Sequence, residues 1–301
     1  VKQRQALREA LARPGLVVAP VCINALTARV VEQLGFPVVY LGGYALGCST
    51  CVTEPLTSMI ELVEASSQIA RRIDKPLVVD GDGGFGEPMH TMRAVRELIW
   101  GGVSGVHIED QHFPKRAHYH RDYVEHTIPL DDLLAKIRMA DRARREADPD
   151  FVLIARTDAI RTEGYDEGVR RANALLGAGA DLVMAFPDDL DQAAKFPRDV
   201  DGPVVYVNSL GNRVGRPVLT VRELEDMGYK MVVEAMAALL LSYKVARDAY
   251  RSLRDEGRPG LPLGEAIEIR KEIEDLIGMD EFYRIEEATV ERPLAGEALG
   301  G

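Results

Sequence analysis

Two aspartates two positions apart, Asp80 and Asp82, close the apolar run Pro76–Asp80. Alternate residues of an extended chain share a face, so the two carboxylates point the same way, and Gly81 leaves space between them. Glu109 and Asp110 close the run Gly105–Glu109 in the same manner, and Glu54 lies in the loop that follows Tyr40-Leu41-Gly42-Gly43. Such acids suit a hard cation. Mg²⁺ takes oxygen ligands octahedrally and keeps several waters, so one direct carboxylate with others acting through water is a sufficient protein contribution. The competing reading is that Asp80 and Asp82 cap the loop and helix that follow. A fifth apolar run ends Ala155-Arg156-Thr157-Asp158, and its guanidinium can either hold a substrate carboxylate bidentately or pair with a neighbouring acid. Asn208 ends another run and can donate to the same substrate, while Gly42 and Gly43 offer backbone N–H groups where a side chain would obstruct. A metal beside a carboxylate clamp points to chemistry next to the carbonyl of a small 2-oxo acid.

These residues need a scaffold that gathers strand ends. Short β-branched runs alternate with longer helical patterns from residue 16 to about 255, which is the signature of parallel strands joined by crossover helices. Eight strands are expected: Leu16–Pro20, Pro37–Leu41, Pro76–Asp80, Gly105–Glu109, Phe151–Arg156, Leu182–Phe186, Val204–Val207 and Met231–Glu234. Most are apolar without alternation, as strands covered on both faces are. Helical periodicity fills the intervals, for example Ser58–Arg72, Met89–Trp100 and Leu130–Ala147. Eight repeats favour an α/β fold of the closed (β/α)8 TIM-type barrel, whose C-terminal strand ends form the active-site face. No Gly-x-Gly-x-x-Gly follows the first strand, which weakens a dinucleotide-binding alternative. The expected barrel domain is residues 1–255, and 256–301 is a helical extension; with the helix that begins at Met236, this is more than a barrel needs and calls for a partner surface.

The net charge of −11 argues against nucleic acid and anionic membrane as partners, since both need clustered Lys and Arg. No apolar stretch reaches the length of a membrane span, and residues 1–13 form a charged amphipathic segment without a signal-peptide core. The expected location is the cytoplasm. Cys22, Cys48 and Cys51 do not suggest a secreted disulfide scaffold; Cys48-x-x-Cys51 reads as two buried small residues near the site's mouth rather than a redox couple or half a zinc site. His107, inside the fourth strand, reads as a core residue.

The sequences Tyr40-Leu41-Gly42-Gly43, Val79-Asp80-Gly81-Asp82-Gly83-Gly84-Phe85-Gly86, Gly105-Val106-His107-Ile108-Glu109-Asp110-Gln111, Lys115-Arg116 and Ala155-Arg156-Thr157-Asp158 resemble the isocitrate lyase/phosphoenolpyruvate mutase superfamily over roughly residues 15–250, above all its 2-methylisocitrate lyase-like branch. The resemblance implies Mg²⁺, with Mn²⁺ as the alternative ion, held directly by Asp80 and through water by Asp82, Glu109 and Glu54. The last departs from the family's usual Asp. It implies that Arg156 and the backbone of Gly42 and Gly43 bind the substrate carboxylate, with Tyr40, Asp188 and Asn208 around it and Lys115 among the catalytic groups. It also implies a last helix exchanged between subunits in a homotetramer, a dimer of dimers.

The sequence departs further in the loop after the fourth strand. The lyases carry a cysteine acid there, whereas this chain reads Lys115-Arg116-Ala117-His118-Tyr119-His120-Arg121. His118 or His120 can replace the thiol, because an imidazolium donates a proton near neutral pH; the alternative is that both are solvent-exposed loop residues. The resemblance thus implies a Mg²⁺-dependent carbon–carbon lyase that acts on a small 2-hydroxy di- or tricarboxylate to give a 2-oxo acid. Ala117 leans towards decarboxylation of an oxaloacetate-like acid. Phosphonopyruvate chemistry and a non-catalytic dicarboxylate binder are the other readings.

Overall fold

The structure, a computed structural model, describes residues 2–116 and 126–291. Eight parallel strands form one sheet: β1 (Val17–Pro20), β2 (Val39–Leu41), β3 (Leu77–Asp80), β4 (Gly105–Glu109), β5 (Val152–Thr157), β6 (Leu182–Ala185), β7 (Val204–Asn208) and β8 (Met231–Glu234). Their order is β1-β8-β7-β6-β5-β4-β3-β2. The circle is completed between β1 and β2 by a single parallel bridge, Val21 to Tyr40, with the Cys22 amide donating to the Tyr40 carbonyl at 2.8 Å. This is the expected TIM-type barrel, nearly closed, and every expected strand is present within two residues at each end.

Strand alternation divides the core in two. Val78 of β3, Val152 and Ile154 of β5, Met184 of β6, Val205 of β7 and Val233 of β8 pack together inside the barrel. Leu77 and Val79, Val106 and Ile108, Leu153 and Ala155, and Val204 and Tyr206 face outward into a second cluster with the helices. Those helices include α2 (Ala25–Gln33), α3 (Gly43–Ser49), α4 (Met59–Ala70), α5 (Pro88–Trp100) and α6 (Leu130–Ala147). They continue with α7 (Ala159–Glu163), α8 (Tyr165–Gly177), α9 (Leu190–Asp199) and α10 (Val221–Met227). Several are started by reciprocal caps; Ser58 and Glu61 bond each other's backbone at α4, and Thr220 and Glu223 do so at α10.

The first helix, α1 (Lys2–Ala12), covers the end of the barrel opposite the acids. Its Leu7 is fully buried in the inner cluster. Arg4 is buried beside it, donating through Nε to the Val103 carbonyl at 2.8 Å, through NH1 to Asp148 at 2.5 Å, and through NH2 to the Ile99 carbonyl.

The chain divides into compact units Val1–Leu241 and Ser242–Gly301. The division falls inside α11 (Ala237–Glu256), whereas the expected boundary at residue 255 lies at that helix's C-terminal end. The second unit also holds α12 (Leu263–Ile277) and α13 (Met279–Thr289).

Breaking a buried ion pair from one side leaves an uncompensated charge, here Asp148 with 11% of its side chain exposed. Arg4→Met is expected to cost about 3 kcal/mol of stability. Thermal denaturation should show this as a melting temperature lower by roughly 5–10 °C; an unchanged melting temperature would mean that α1 does not secure the barrel floor.

Candidate active site

The alternation that fills the barrel also decides which strand-end residues face its mouth. Continuing the inward series from each strand gives Tyr40 and Gly42, Asp80 and Asp82, His107 and Glu109, Arg156, Phe186, Val207 and Ala235. Seven of them, Tyr40, Gly42, Asp80, Arg156, Phe186, Val207 and Ala235, line a cavity of about 260 Å³, together with Gly43 and Glu54.

Its acidic side is held together by cations. The Lys115 ammonium lies 2.5 Å from a Glu54 carboxylate oxygen and 2.9 Å from Glu109 Oε1. Arg156 grips Asp158 bidentately, Nε to Oδ1 and NH2 to Oδ2 at 2.9 Å each, and extends NH1 to within 2.7 Å of Glu109 Oε2. The register makes the second contact, since Glu109 and Arg156 are direct partners across β4 and β5. Asp158 is fixed in turn by Gln111 Nε2 at 2.5 Å and by its own amide, which donates to Asp110 at 2.9 Å.

Burial sets the protonation of the group. It pushes the Glu109 carboxyl well up, with Arg156 and Lys115 opposing, and it raises Asp82 against the pull of Lys115. Burial alone would lower Lys115, but Glu109, Glu54 and Asp82 outweigh it and hold the ammonium charged well above its ordinary range. Lys115 thus stands as a counter-charge between Glu54 and Glu109.

Asp80 accepts from the Gly43 amide at 3.2 Å and from the Asp82 amide at 3.0 Å. A Cβ on Gly43 would stand 3.1 Å from both Asp80 Oδ2 and Glu54 Oε1, so only glycine lets this backbone approach the acids without crowding. His107, read from sequence as a core residue, joins the site. Its Nε2 is 2.9 Å from the Tyr40 hydroxyl and its Nδ1 is 3.5 Å from Asp80 Oδ1. Burial lowers the imidazole's pKa and raises the Tyr40 phenol well above 10, so both are neutral. A neutral imidazole that accepts from Tyr40 at Nε2 turns an N–H at Nδ1 towards Asp80. The signal that could have found it is parity: residues 105, 107 and 109 share the inner face.

Two residues expected around the substrate are elsewhere. Asn208 continues the outward series 204, 206, 208, and its amide is committed to the loop after β7, donating to the Leu219 carbonyl at 2.6 Å and accepting from the Leu219 amide at 3.0 Å. Asp188 is exposed and does not line the cavity. The wall they were expected to supply comes instead from Asn212, Arg213 and Arg216 of the β7–α10 loop. Cys48 is half-buried on α3 and Cys51 is exposed, so the expectation that both are buried is corrected; all three cysteines are free thiols. His118 and His120 lie outside the described residues.

The sequence profile described as phosphoenolpyruvate phosphomutase matches residues 7–254. The chain belongs to this family. It is 35% identical over 259 residues to a protein of Corynebacterium glutamicum named probable 2-methylisocitrate lyase 1, an alignment that covers 85% of this chain and 83% of that one. It is 30% identical to the 2,3-dimethylmalate lyase of Eubacterium barkeri over 93% of this chain and 96% of its relative. Among solved structures, oxaloacetate acetylhydrolase in complex with the inhibitor 3,3-difluorooxalacetate superposes with a TM-score of 0.88 at 28% identity, covering 96% of this chain and 97% of that one.

The phosphoenolpyruvate phosphomutase superfamily is generally metal-dependent. Among the described residues, no three His, Cys, Asp or Glu side chains converge into a metal shell; Lys115 bridges the acids instead. The donor set nevertheless fits a hard divalent cation. Four carboxylates, Asp80, Asp82, Glu54 and Glu109, are buried together against one ammonium and a guanidinium already shared with Asp158. Both Glu109 oxygens lack a hydrogen bond, even though two cations lie within ion-pair distance of them. Lone pairs left over in so dry a place are what a cation with its waters takes up.

Proposed function

We infer that this chain is a Mg²⁺-dependent carbon–carbon lyase that cleaves a small 2-hydroxy di- or tricarboxylate to a 2-oxo acid, as its relatives' names suggest. The observation that carries the reading is the cluster of four buried acids, two of which, Glu54 and Asp80, line one cavity together with Arg156, Gly42 and Gly43.

Asp80 would hold the ion directly and Asp82, Glu109 and Glu54 through water; when bound, Mg²⁺, or Mn²⁺ in its place, acts as a Lewis acid towards the substrate's 2-oxygen. Arg156 and the backbone N–H of Gly42 bind the adjacent carboxylate, joined by the Gly43 N–H once it turns from Asp80. Tyr40 takes the hydroxyl proton as it passes its own to His107 Nε2, because a phenol held this far above neutrality does not wait as phenolate. The carbon–carbon bond breaks, the hydroxyl carbon becomes a ketone, and the electron pair departs with the other fragment, which takes a proton from His118 or His120. Lys115 keeps the acids in place throughout.

A second reading, oxaloacetate-type decarboxylation, has one observation in its favour: Ala117 stands where the lyases carry a cysteine acid. Protonation from water would then suffice.

The cytoplasm is the proposed location, on the strength of three free cysteines. For assembly we propose a homotetramer built by helix exchange. In its support, α11 buries no residue within its own chain, although Tyr243 and Val245 are each 65% exposed and Tyr250 71%.

Asp80→Ala should abolish Mg²⁺ binding in isothermal titration, since acids acting through water cannot replace a direct ligand. Lys115→Met should do the opposite, tightening Mg²⁺ on the order of tenfold or more by removing a competing positive charge from a low-dielectric site. Unchanged Mg²⁺ affinity in a folded Asp80→Ala variant would remove the metal assignment. Turnover assays with Mg²⁺ across a panel of 2-hydroxy and 2-oxo acids separate the two reactions. For a lyase, His118→Gln or His120→Gln should lower turnover on the order of 10²-fold with substrate affinity little changed, because an amide keeps a hydrogen bond but supplies no proton. For a decarboxylase, both variants should stay within a few-fold, and activity confined to oxaloacetate would overturn the lyase. Light scattering should give four chain masses; a single chain mass would exclude the exchanged helix.

A further inference from the structure

The cavity has a second charged wall that the chemistry above leaves unused. Arg213 and Arg216 reach it from the β7–α10 loop. This loop is cross-braced. The Tyr206 hydroxyl donates to the Pro217 carbonyl at 2.7 Å, Asn212 Nδ2 donates to the Ser209 and Arg216 carbonyls at 3.1 Å each, and the Arg216 amide donates to Asn212 Oδ1 at 3.0 Å. With the Asn208–Leu219 pair, these bonds fix the backbone that carries both arginines.

Arg216 is also placed by its side chain. Its guanidinium carbon lies 4.3 Å from the centroid of the Phe186 ring, and that of Arg156 lies 4.3 Å from the same centroid. One buried ring thus sets the position of two cations. Stacking uses the face of a guanidinium and leaves its in-plane fork geometry suited to a carboxylate. Val207, Leu210, Met236 and Leu240 supply apolar wall. Acids with a clamp at one end, hydrocarbon lining, and arginines at another wall describe a ligand with a carboxylate at each end.

The reaction gives that second carboxylate a purpose. When the bond next to the hydroxyl carbon breaks, the electron pair is left on a carbon that bears a carboxylate, and the negative charge spreads onto those oxygens. A cation fixed there binds the transition state more strongly than the ground state. We propose that Arg216, with Arg213 beside it, receives the carboxylate of the departing fragment and so restricts the enzyme to substrates carrying one. This rests on the 2-oxo-acid reading of the Arg156 end.

Two probes separate the ends in titrations of the full chain with saturating Mg²⁺. Oxalate fills the 2-oxo-acid end alone; 3,3-difluorooxalacetate adds the distal carboxylate. Arg216→Met should weaken 3,3-difluorooxalacetate tenfold or more and leave oxalate within about twofold, and Arg216→Lys should recover part of the loss, which a purely structural arginine would not show. Equal loss of both probes, or no loss of 3,3-difluorooxalacetate in Arg216→Met and in the Arg213→Met/Arg216→Met double variant, would overturn the assignment. Failure of the unmodified protein to bind oxalate would overturn the 2-oxo-acid reading itself and this inference with it, so the two failures are told apart.

Discussion

Four carboxylates buried at one end of a barrel are a liability, because each loses hydration that neighbouring carboxylates cannot return. Much of the site's construction answers this constraint. Lys115 stands between Glu54 and Glu109. Arg156 is locked by Asp158 before it reaches Glu109, and Asp158 is itself held by Gln111 and by its amide bond to Asp110. Thr157 donates to the other Asp110 oxygen at 2.6 Å, and Arg171 meets that same oxygen at 3.2 Å. The network therefore runs outward from the cavity until it meets α8 and the backbone carbonyl of Ile128. Burial pushes Asp110 up to about 6 even within these bonds, with the Asp158 charge adding to it. Under the metal-dependent reading proposed above, a divalent cation would relieve the repulsion among these acids.

The strand alternation links this electrostatics to the core. The inward positions that hold Val78, Ile154 and Val205 lower in the barrel become Asp80, Arg156 and Val207 at its mouth. The same series accounts for the pairing of Glu109 with Arg156, which are register partners. It also explains why Asp80, Arg156 and Glu109 can be placed from sequence: each ends an apolar run, and an apolar run's parity survives into the folded sheet. His107 obeyed the same rule. It was passed over because a lone histidine in a strand suggests packing more than chemistry, although its neighbours at 105 and 109 share its face. Asn208 illustrates the rule's other side, since its parity is outward and its amide serves the loop rather than the cavity.

What parity does not reach is a loop. Glu54 lies in a loop, where only the family resemblance gives it a ligand's role, and the structure brings it back to the barrel mouth at the start of a 3₁₀ turn that follows the short helix α3. Arg213 and Arg216 carried no comparable signal, because their position depends on Asn212, Tyr206 and Phe186, residues that are ordinary in isolation and informative only once folded together. Cys48 and Cys51 were misplaced for a related reason: a helix of seven residues following Gly42 turns the chain back towards the surface, and periodicity over so short a stretch does not resolve which side faces inward.

The division between strand ends and loops is a division of chemical labour. The strand ends hold groups whose positions cannot drift, because the same backbone hydrogen bonds that make the barrel place them. The loop 209–220 holds Arg213 and Arg216, which are placed by its own braces and by Phe186 rather than by the strand hydrogen bonds. That separation is how relatives named for lyase, phosphomutase and acetylhydrolase activities can share one barrel at 28–35% identity.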